Sequence, residues 1–245
     1  MPHQDQLPVR RLVASENWST HVPLDAWPGT VPAVRQILRE GLDLGPATVL
    51  VGENGSGKST LIEAIAMAFG LNPEGGSTHA NHQTRDSESS LDQALRVVRS
   101  PGGSRWGYFL RAETMHGLYS YLEEHAGRHD SVLHELSHGE SFLEVLRTRF
   151  DESGLYVLDE PESALSFAGC LSLVRLLYDL SKTGTAQVVV ATHSPIIAAL
   201  PGAQIYEVGI EGLSKRTWGE LDLVAHHRRF LNDPDSYLRF LLEDD

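Results

Sequence analysis

Short unbroken runs of apolar residues are the clearest pattern in the chain. Three of them predict strands at residues 48–51, 155–158 and 187–191, where Thr48 and Gln187 are polar first residues of the first and third strands. Runs of this length without alternating polar positions are typical of strands that are buried on both faces, as in a parallel sheet. A helical pattern over residues 171–180 fits the crossover between the second and third of these strands. We therefore expect an α/β fold in which helices flank a parallel sheet.

The two ends of the chain differ from this central pattern. In residues 1–50, short strand-like pieces are interrupted by Pro23, Pro28, Pro32 and Pro46. These pieces predict a small N-terminal antiparallel sheet, and residues 33–40 have the spacing of a helix. At the other end, the apolar spacing of residues 228–242 predicts a helix that packs against the core.

The middle of the chain is predicted to contain a long loop, a strand and several helices. Residues 72–90 are almost free of apolar side chains and predict a long surface loop. A strand is predicted at 106–111. Helical patterns are found at 91–99, 114–124 and 141–150. They predict a compact helical subdomain at about residues 80–150, inserted into a single domain that spans residues 1–245.

Composition and charge narrow the class of protein. The chain has 245 residues, of which 41% are hydrophobic, as in ordinary globular proteins. Its formal net charge of −13 argues against binding to nucleic acid or a membrane surface mainly through electrostatic attraction. The single cysteine, Cys170, excludes an internal disulfide, and neither a signal-like start nor an apolar run of about 18 residues is present. We expect a soluble cytoplasmic protein without membrane insertion or a direct nucleic-acid signal.

A phosphate-binding loop follows the strand at 48–51. The sequence there matches G-x-x-x-x-G-K-[ST], and a helical run at 61–69 comes after it. The glycines allow backbone N–H groups to turn toward phosphate oxygens, Lys58 brings a cation to the β- and γ-phosphates, and Ser59 offers a hydroxyl to Mg²⁺. The positive end of the helix dipole also favours a triphosphate. The candidate ATP-binding residues are Gly52, Glu53, Asn54, Gly55, Ser56, Gly57, Lys58, Ser59 and Thr60.

Two acids end the strand at 155–158. Asp159 stands at the carboxyl edge of the predicted sheet, where a carboxylate can hold Mg²⁺ through water. Glu160 comes one residue later and is suited to orient or deprotonate an attacking water. Together with the P-loop, these acids predict hydrolysis of a nucleoside triphosphate.

Three more motifs occur in order around the two acids. Residues 136–141, L-S-H-G-E-S, are similar to the signature motif of ATP-binding-cassette (ABC) ATPases. Residues 161–166 resemble the D-loop of that family, and residues 192–194 resemble its switch histidine. With the P-loop and the acidic pair, five motifs follow the family's order. The chain therefore resembles ABC ATPases, in particular the small stand-alone soluble bacterial ATPases that are often labelled AAA-family.

The resemblance implies a P-loop NTPase fold with a RecA-like sheet, hydrolysis of ATP with Mg²⁺, and a homodimer in the ATP state. In this family the signature of one chain completes the ATP site of the other, so that each ATP is sandwiched between two chains. Catalytic roles are implied for Lys58, Glu160 and His193, with His193 sensing the γ-phosphate. The signature residues that would act in trans are Ser137, His138, Gly139 and Glu140.

The chain departs from the family pattern in four places. His138 replaces a glycine, Glu140 replaces the glutamine frequent in transporters, and Ser166 replaces the aspartate of transporter D-loops. The glutamine of the Q-loop is missing from its expected place. Glu113 is a candidate replacement as a metal or water contact, although an ordinary acid at a helix start is the alternative.

An aromatic residue that stacks on adenine usually precedes the P-loop in this family. Trp27 is the best-placed candidate and Trp18 the next, because an indole face stacks without base-specific hydrogen bonds. Each of them is equally compatible with packing in the core.

Two groups of histidines carry less weight. One group lies in the predicted helical subdomain and consists of His125, His129, His134 and His138. No carboxylate or cysteine completes a recognisable metal site there. The other group, residues 226–229, is a short basic patch typical of a solvated helix start.

Four interpretations of what the ATP cycle drives are open. The leading one is a stand-alone soluble ATPase. A nucleotide-binding subunit of a transporter predicts a membrane partner, but the missing glutamine and the altered signature count against it. A chromosome-maintenance or repair ATPase would need long heptad arms, for which residues 61–135 are too few and too irregular. The last reading is an ATP-gated dimer that switches a nuclease or another DNA-related effector.

Overall fold

The computed structural model describes residues 6–78, 89–111, 146 and 153–242. Its strands are β1 (Arg11–Ala14), β2 (Leu42–Asp43), β3 (Ala47–Val51), β4 (Gly76–Ser77), β5 (Leu95–Val98), β6 (Gly107–Arg111), β7 (Leu155–Asp159), β8 (Gln187–Thr192), β9 (Gln204–Gly209) and β10 (Gly212–Arg216). Its α-helices are α1 (Trp18–His21), α2 (Pro32–Glu40), α3 (Lys58–Phe69), α4 (Leu91–Ala94), α5 (Phe167–Lys182), α6 (Asp222–Asn232) and α7 (Pro234–Leu242). None of the described helices is long and apolar enough to cross a membrane.

The main sheet has the strand order β10-β9-β3-β8-β7-β6-β4 within the described residues. Strands β9, β3, β8, β7 and β6 run parallel, and β10 and β4 pair antiparallel at the two edges. Every residue of β3, β7 and β8 is buried, because helices cover both faces. The predicted α/β fold with a parallel sheet is confirmed.

Successive residues of the central strands face opposite layers of the core. On one face, Leu50, Val157 and Val189 pack in a cluster with residues of α2 and α3. On the other face, Val49 and Val190 pack in a second cluster with residues of α5. This alternation is the period of two expected of strands, here with an apolar layer on each side. The helix predicted at 171–180 is confirmed and extends over Phe167–Lys182.

The small antiparallel sheet is also present, in the order β2-β1-β5. Its third strand corrects the sequence prediction, which gave one helix over 91–99. Only Leu91–Ala94 is helical, and Leu95–Val98 pairs with Arg11–Ala14 as a strand. The pairing partner lies more than 80 residues away, so a local pattern cannot reveal it. Long-range pairing decided the conformation of this segment.

The C-terminal prediction was wrong in two respects. Residues 228–242 are not one helix, because α6 ends at Asn232 and α7 begins at Pro234, whose missing N–H and ring disfavour a continuous helix. The segment is also not buried, since Leu231 is 76% exposed and Leu242 is 73% exposed. The sequence prediction also contained no hairpin at β9 and β10, which widens the sheet by two strands.

Most of the predicted helical subdomain at 80–150 lies outside the described residues, including the helices predicted at 114–124 and 141–150. Its described part, residues 89–111, holds α4 and two strands, β5 and β6. The strand predicted at 106–111 is confirmed as Gly107–Arg111. The division of the chain into one domain with an inserted subdomain stays a prediction.

The carboxyl ends of the parallel strands are aligned at one edge of the sheet. In the registers of these strands, Val51 lies opposite Thr192, Ala191 opposite Asp159, and Asp159 opposite Arg111. The P-loop follows Val51, Glu160 follows Asp159, and His193 follows Thr192 directly in the sequence. The fold therefore gathers the candidate chemistry of distant segments at this edge.

Candidate nucleotide site

The P-loop connects β3 to α3 in a tight turn that its glycines make possible. Gly55 has a φ of +78° and Gly57 a φ of +98°, in the left-handed region that residues with a Cβ rarely adopt. A Cβ on Gly57 would lie 2.8 Å from Val31 Cγ1, and a Cβ on Gly52 would lie 2.5 Å from the carbonyl oxygen of Val208. Larger residues at these positions would force the loop open.

Lys58, the first residue of α3, is buried with its ammonium turned back into the loop. Its Nζ donates a hydrogen bond of 2.9 Å to the Glu53 carbonyl oxygen and lies 3.9 Å from Glu160 Oε1. Burial lowers the pKa of Lys58, while the carboxylates of Glu160 and Asp159 act in the opposite direction. The side chain therefore brings a cation to the centre of the loop, next to the acidic end of β7.

Ser59 and Asp159 meet across the gap between α3 and β7. Ser59 Oγ donates a hydrogen bond of 3.2 Å to Asp159 Oδ1. Burial raises the pKa of Asp159 to about 6, and the Arg111 guanidinium opposes that rise. A hydroxyl beside a buried carboxylate is an oxygen-rich pair of the kind that Mg²⁺ accepts. Both residues fit the magnesium site predicted from the sequence.

Glu160 turns out of the strand with φ +48° and ψ +51°, a left-handed conformation uncommon for a residue with a side chain. Its N–H donates to the Ala191 carbonyl oxygen at 2.9 Å, which ties the turn to β8. His193 follows β8 directly, and its Nδ1 lies 3.5 Å from Glu160 Oε1. The imidazole is 46% exposed, so the pair faces the solvent-filled edge of the sheet.

Two side chains that sequence reasoning did not single out also belong to this site. Glu162 accepts hydrogen bonds from Thr192 Oγ1 at 2.6 Å and from the His193 N–H at 2.8 Å. Arg111 ends β6 beside Asp159, and its Nη1 lies 3.1 Å from Glu63 Oε2. In the sequence, Glu162 is marked only as one letter of the D-loop resemblance, and nothing marks the Arg111–Glu63 pair, whose members are 48 residues apart.

The buried polar atoms of the loop fit a phosphate-bearing substrate. Ser56 Oγ is buried and makes no hydrogen bond to any described residue. Because an unpartnered buried hydroxyl is costly, a ligand that accepts a hydrogen bond from it would remove that cost. Such an acceptor is a phosphate oxygen, for which the positive end of the twelve-residue helix α3 is also suited.

Comparison with known proteins places these features in a family. Residues 38–163, a little over half of the chain, match the family model described as "ABC transporter". The chain belongs to the ABC ATPase family. Members of this family bind ATP, generally with Mg²⁺, and hydrolyse it.

The chain is also similar to individual proteins. The chain is 31% identical over 176 residues to a cytochrome c biogenesis ATP-binding export protein of Rhodopseudomonas palustris, covering 64% of this chain and 84% of the relative. It is 27% identical over 208 residues to a ribose import ATP-binding protein of Burkholderia cenocepacia, covering 73% of this chain but only 38% of the relative. Among solved structures, a dimeric post-hydrolysis ATP-binding cassette bound to ADP and phosphate matches with a TM-score of 0.42 and 17% identity, covering 73% of this chain and 88% of that one.

The two tryptophans proposed for the adenine of this ABC ATPase occupy different environments. Trp27 is 51% exposed in the segment before α2, and the same segment reaches the P-loop where Val31 lies against Gly57. Trp18 is partly buried and packs against the core cluster that contains α2 and α3. Packing therefore accounts for Trp18, and Trp27 keeps its proposed role as the stacking aromatic.

The remaining ABC motifs lie outside the described residues. These are the signature residues Ser137, His138, Gly139 and Glu140 and the proposed Q-loop substitute Glu113. The histidine group that begins at His125, which is not one of these motifs, also lies outside the described residues. The basic patch at 226–229 is exposed, as expected, but it lies within α6 (Asp222–Asn232) and not at the start of a helix as predicted. In the described part of the chain, no group of three or more His, Cys, Asp or Glu side chains is arranged to hold a metal ion.

Proposed function

We propose that this chain binds Mg²⁺-ATP in the P-loop, hydrolyses it to ADP and phosphate, and acts as a stand-alone soluble ATPase of the cytoplasm. One observation carries the proposal. Lys58, the Ser59–Asp159 pair, Glu160 and His193 lie at a single edge of the sheet, where Lys58 and His193 are each within 4 Å of Glu160 and Ser59 donates a hydrogen bond to Asp159. A cation, a metal-type oxygen pair and a base beside a histidine are the parts that phosphoryl transfer to water needs.

Binding is the task of the P-loop. Backbone N–H groups of residues 52–60 surround the β- and γ-phosphates, and the Lys58 ammonium supplies the positive charge that α3 alone provides only in part. The 2.9 Å bond from Lys58 Nζ to the Glu53 carbonyl oxygen holds the ammonium inside the loop before substrate arrives. Little reorganisation is then needed on binding, which favours affinity.

Ser59 and Asp159 would hold Mg²⁺, which supplies charge neutralisation for the phosphate oxygens when bound. Asp159 is suited to this role because its carboxylate lies at the end of β7, within 3.2 Å of the Ser59 hydroxyl. The Arg111 guanidinium lies close enough to lower the pKa of Asp159, so it favours the ionised form that a metal requires.

Hydrolysis is the task of the acids and the histidine. Glu160 orients a water molecule and takes up its proton as the water oxygen bonds to the γ-phosphorus. The bond from that phosphorus to the bridging oxygen breaks, and its electrons leave with ADP. His193, 3.5 Å from Glu160 Oε1, holds the water and the γ-phosphate in line. Lys58 stabilises the charge on the transferred group.

Phosphate release from ATP by the purified chain tests the proposal. Mg²⁺-ATP should be hydrolysed, chelation of the metal by EDTA should stop the reaction, and restoring Mg²⁺ should return it. A protein that binds no nucleotide and releases no phosphate would contradict the proposed function.

A homodimer in the ATP state is the second element of the proposal. Ser137 and Gly139 of one chain would contact the γ-phosphate held by the P-loop of the other. A heterodimer of Ser137→Arg with Lys58→Ala has one site with both lesions and one with neither, so it should regain part of the activity. An inactive mixture with proven heterodimers would contradict the head-to-tail arrangement.

A transporter subunit is the second candidate function, favoured by the relatives, whose names describe export and import proteins. In that case ATP hydrolysis would depend on a membrane partner. The discriminating experiment is purification of the chain from mildly solubilised membranes of its native cells. Recovery of a stoichiometric integral membrane protein would favour the transporter reading, and a homodimer without such a protein would favour the stand-alone ATPase.

A further inference from the structure

The turn after the acidic pair places a second carboxylate against the proposed catalytic histidine. Glu162 lies in the short 3₁₀ turn Pro161–Ala164, and its side chain is only 8% exposed. Its Oε1 accepts from Thr192 Oγ1 at 2.6 Å and from the His193 N–H at 2.8 Å, and it lies 3.5 Å from His193 Nδ1. One carboxylate oxygen therefore contacts both the backbone and the ring of the histidine.

We propose that Glu162 is a positioning residue that fixes His193 relative to Glu160 during hydrolysis. This role rests on the proposed ATPase function. Glu162 contacts His193 and not the water or the phosphate. It acts through the histidine.

The hydrogen bonds of Glu162 join two segments that hold different parts of the reaction. The 3₁₀ turn follows Glu160 directly, whereas Thr192 and His193 end β8. Strands β7 and β8 pair as far as Asp159 and Ala191, and the Glu160 N–H adds a backbone hydrogen bond to the Ala191 carbonyl oxygen. The Glu162 carboxylate accepts two charge-assisted hydrogen bonds, one from the Thr192 hydroxyl and one from the His193 N–H, and so holds the backbone that carries the imidazole. Charge-assisted hydrogen bonds are among the stronger ones in proteins.

Burial of this carboxylate is difficult to explain by stability alone. Its second oxygen, Oε2, is buried and has no hydrogen-bond partner among the described residues. A buried carboxylate with an unpartnered oxygen costs free energy that an apolar residue in the same turn would not cost. The contact of Oε1 with His193 explains why the carboxylate is buried here, because without it the half-exposed imidazole would be free to change rotamer.

Two substitutions separate hydrogen bonding from packing. Glu162→Gln retains a carbonyl oxygen that can accept from Thr192 and His193, whereas Glu162→Met keeps the length of the side chain and removes both acceptors. Because misplacement of a catalytic group by about 1 Å can cost on the order of 100-fold, we expect Glu162→Met to lower kcat at least tenfold. Glu162→Gln should stay within about threefold of wild type, since its bonds are conserved in geometry and lose only charge assistance. The Kd for ATP should change less than about twofold in both variants.

A double variant tests whether Glu162 acts through His193. If it does, adding Glu162→Met to His193→Ala should lower kcat no further than His193→Ala alone, because the group being positioned is already gone. A purely structural role would reduce activity by the same factor in either background. Thermal unfolding of each variant identifies loss of fold, and if Glu162→Met does not fold, Thr192→Val removes the shorter bond and should show the same dependence on His193.

The outcomes are distinguishable from failure of the proposed function. Wild-type protein without ATPase activity would overturn the proposed function and this role with it. Active wild type with Glu162→Met at full kcat, or with losses that multiply in the double variant, would overturn the positioning role alone. Active wild type with Glu162→Gln as impaired as Glu162→Met would also overturn it, since the shared hydrogen bonds would then be irrelevant.

Discussion

The two halves of the candidate site are held in place by different means. The P-loop half is set by the backbone, since Gly55 and Gly57 adopt left-handed conformations and Lys58 bonds to a carbonyl oxygen. The acidic half is set by side chains, since Asp159 bonds to Ser59 and Glu162 bonds to Thr192 and His193. One half is a single continuous segment, and the other is assembled from the ends of two strands.

This difference assigns different consequences to damage in each half. A change in the P-loop should impair binding of ATP and turnover together, because the loop forms the phosphate cradle itself. A change in the acidic half should impair turnover and leave the cradle intact.

Lys58→Ala should impair both halves of the site, because it removes the ammonium that contacts the P-loop backbone and Glu160. We expect kcat/KM for ATP to fall about 100- to 1,000-fold, since the ammonium stabilises both bound phosphates and the transferring group. Affinity for ATP should fall in parallel, as measured by calorimetry, with phosphate release as the rate assay. Lys215→Ala removes an exposed lysine from β10 and serves as control. Normal turnover in Lys58→Ala would remove the basis of the P-loop assignment.

Gly57→Ala should damage the backbone-held half while leaving every functional side chain present. The φ of +98° and the approach of a Cβ to 2.8 Å from Val31 Cγ1 both oppose alanine. We expect a loss of about 3 kcal/mol in the free energy of unfolding and weaker ATP binding. Urea denaturation measures the first effect and calorimetry the second.

The matched control for that substitution is Gly219→Ala. A Cβ on Gly219 would meet no atom within 4 Å, and the residue does not have a positive φ. Equal losses in the free energy of unfolding of the two variants would show that the positive φ and close packing of Gly57 do not make alanine unfavourable there.

Asp159→Asn should change how stability depends on pH. Burial raises the pKa of Asp159 to about 6, so the folded state binds this proton more tightly than the unfolded state. Its contribution to stability is therefore full well below pH 4 and is lost as the pH rises through 6. Between pH 4.5 and 7.5 the wild type should lose about 2 kcal/mol relative to Asp159→Asn in the absence of nucleotide and metal.

Urea denaturation across that pH range measures the effect, with Asp179→Asn on the exposed side of α5 as the control. Parallel pH profiles of wild type and Asp159→Asn would mean that Asp159 is not the buried acid described here.

Trp27→Ala should have the smallest effect, because stacking adds to a cradle that already holds the phosphates. We expect ATP affinity to fall about fivefold, on the order of 1 kcal/mol, with stability unchanged for this half-exposed side chain. Leu24→Ala, which removes an exposed apolar residue from the same segment, is the control. An unchanged Kd for ATP in Trp27→Ala would exclude stacking by this residue.

The contrast between the halves also explains what the sequence could predict. The P-loop is nine consecutive residues with a strand before it and a helix after it, so the motif and its context are both local. The three buried strands were predicted from apolar runs because helices cover both sheet faces, and that leaves no alternation of polar residues. Asp159, Glu160 and His193 followed from the ends of those strands.

Features that depend on distant pairing could not be predicted in this way. Leu95–Val98 became a strand only because β1 offers it a partner, and its local pattern favoured a helix. The bonds of Glu162 join residues 30 and 31 positions apart, and the sequence alone does not indicate that this carboxylate reaches β8. At the C-terminus, apolar spacing predicted burial where the described residues provide no cover for Leu231 or Leu242.

The most direct test of the division of labour is a comparison of binding and chemistry in Glu160→Gln. The glutamine keeps the shape of the residue and the left-handed turn but cannot accept the proton of water. Affinity for Mg²⁺-ATP, measured by calorimetry, should stay within about threefold of wild type, while single-turnover phosphate release should fall about 100- to 1,000-fold. Glu211→Gln, in the exposed turn between β9 and β10, should change neither quantity. Turnover at the wild-type rate, or a loss of ATP affinity equal to the loss of turnover, would contradict the account.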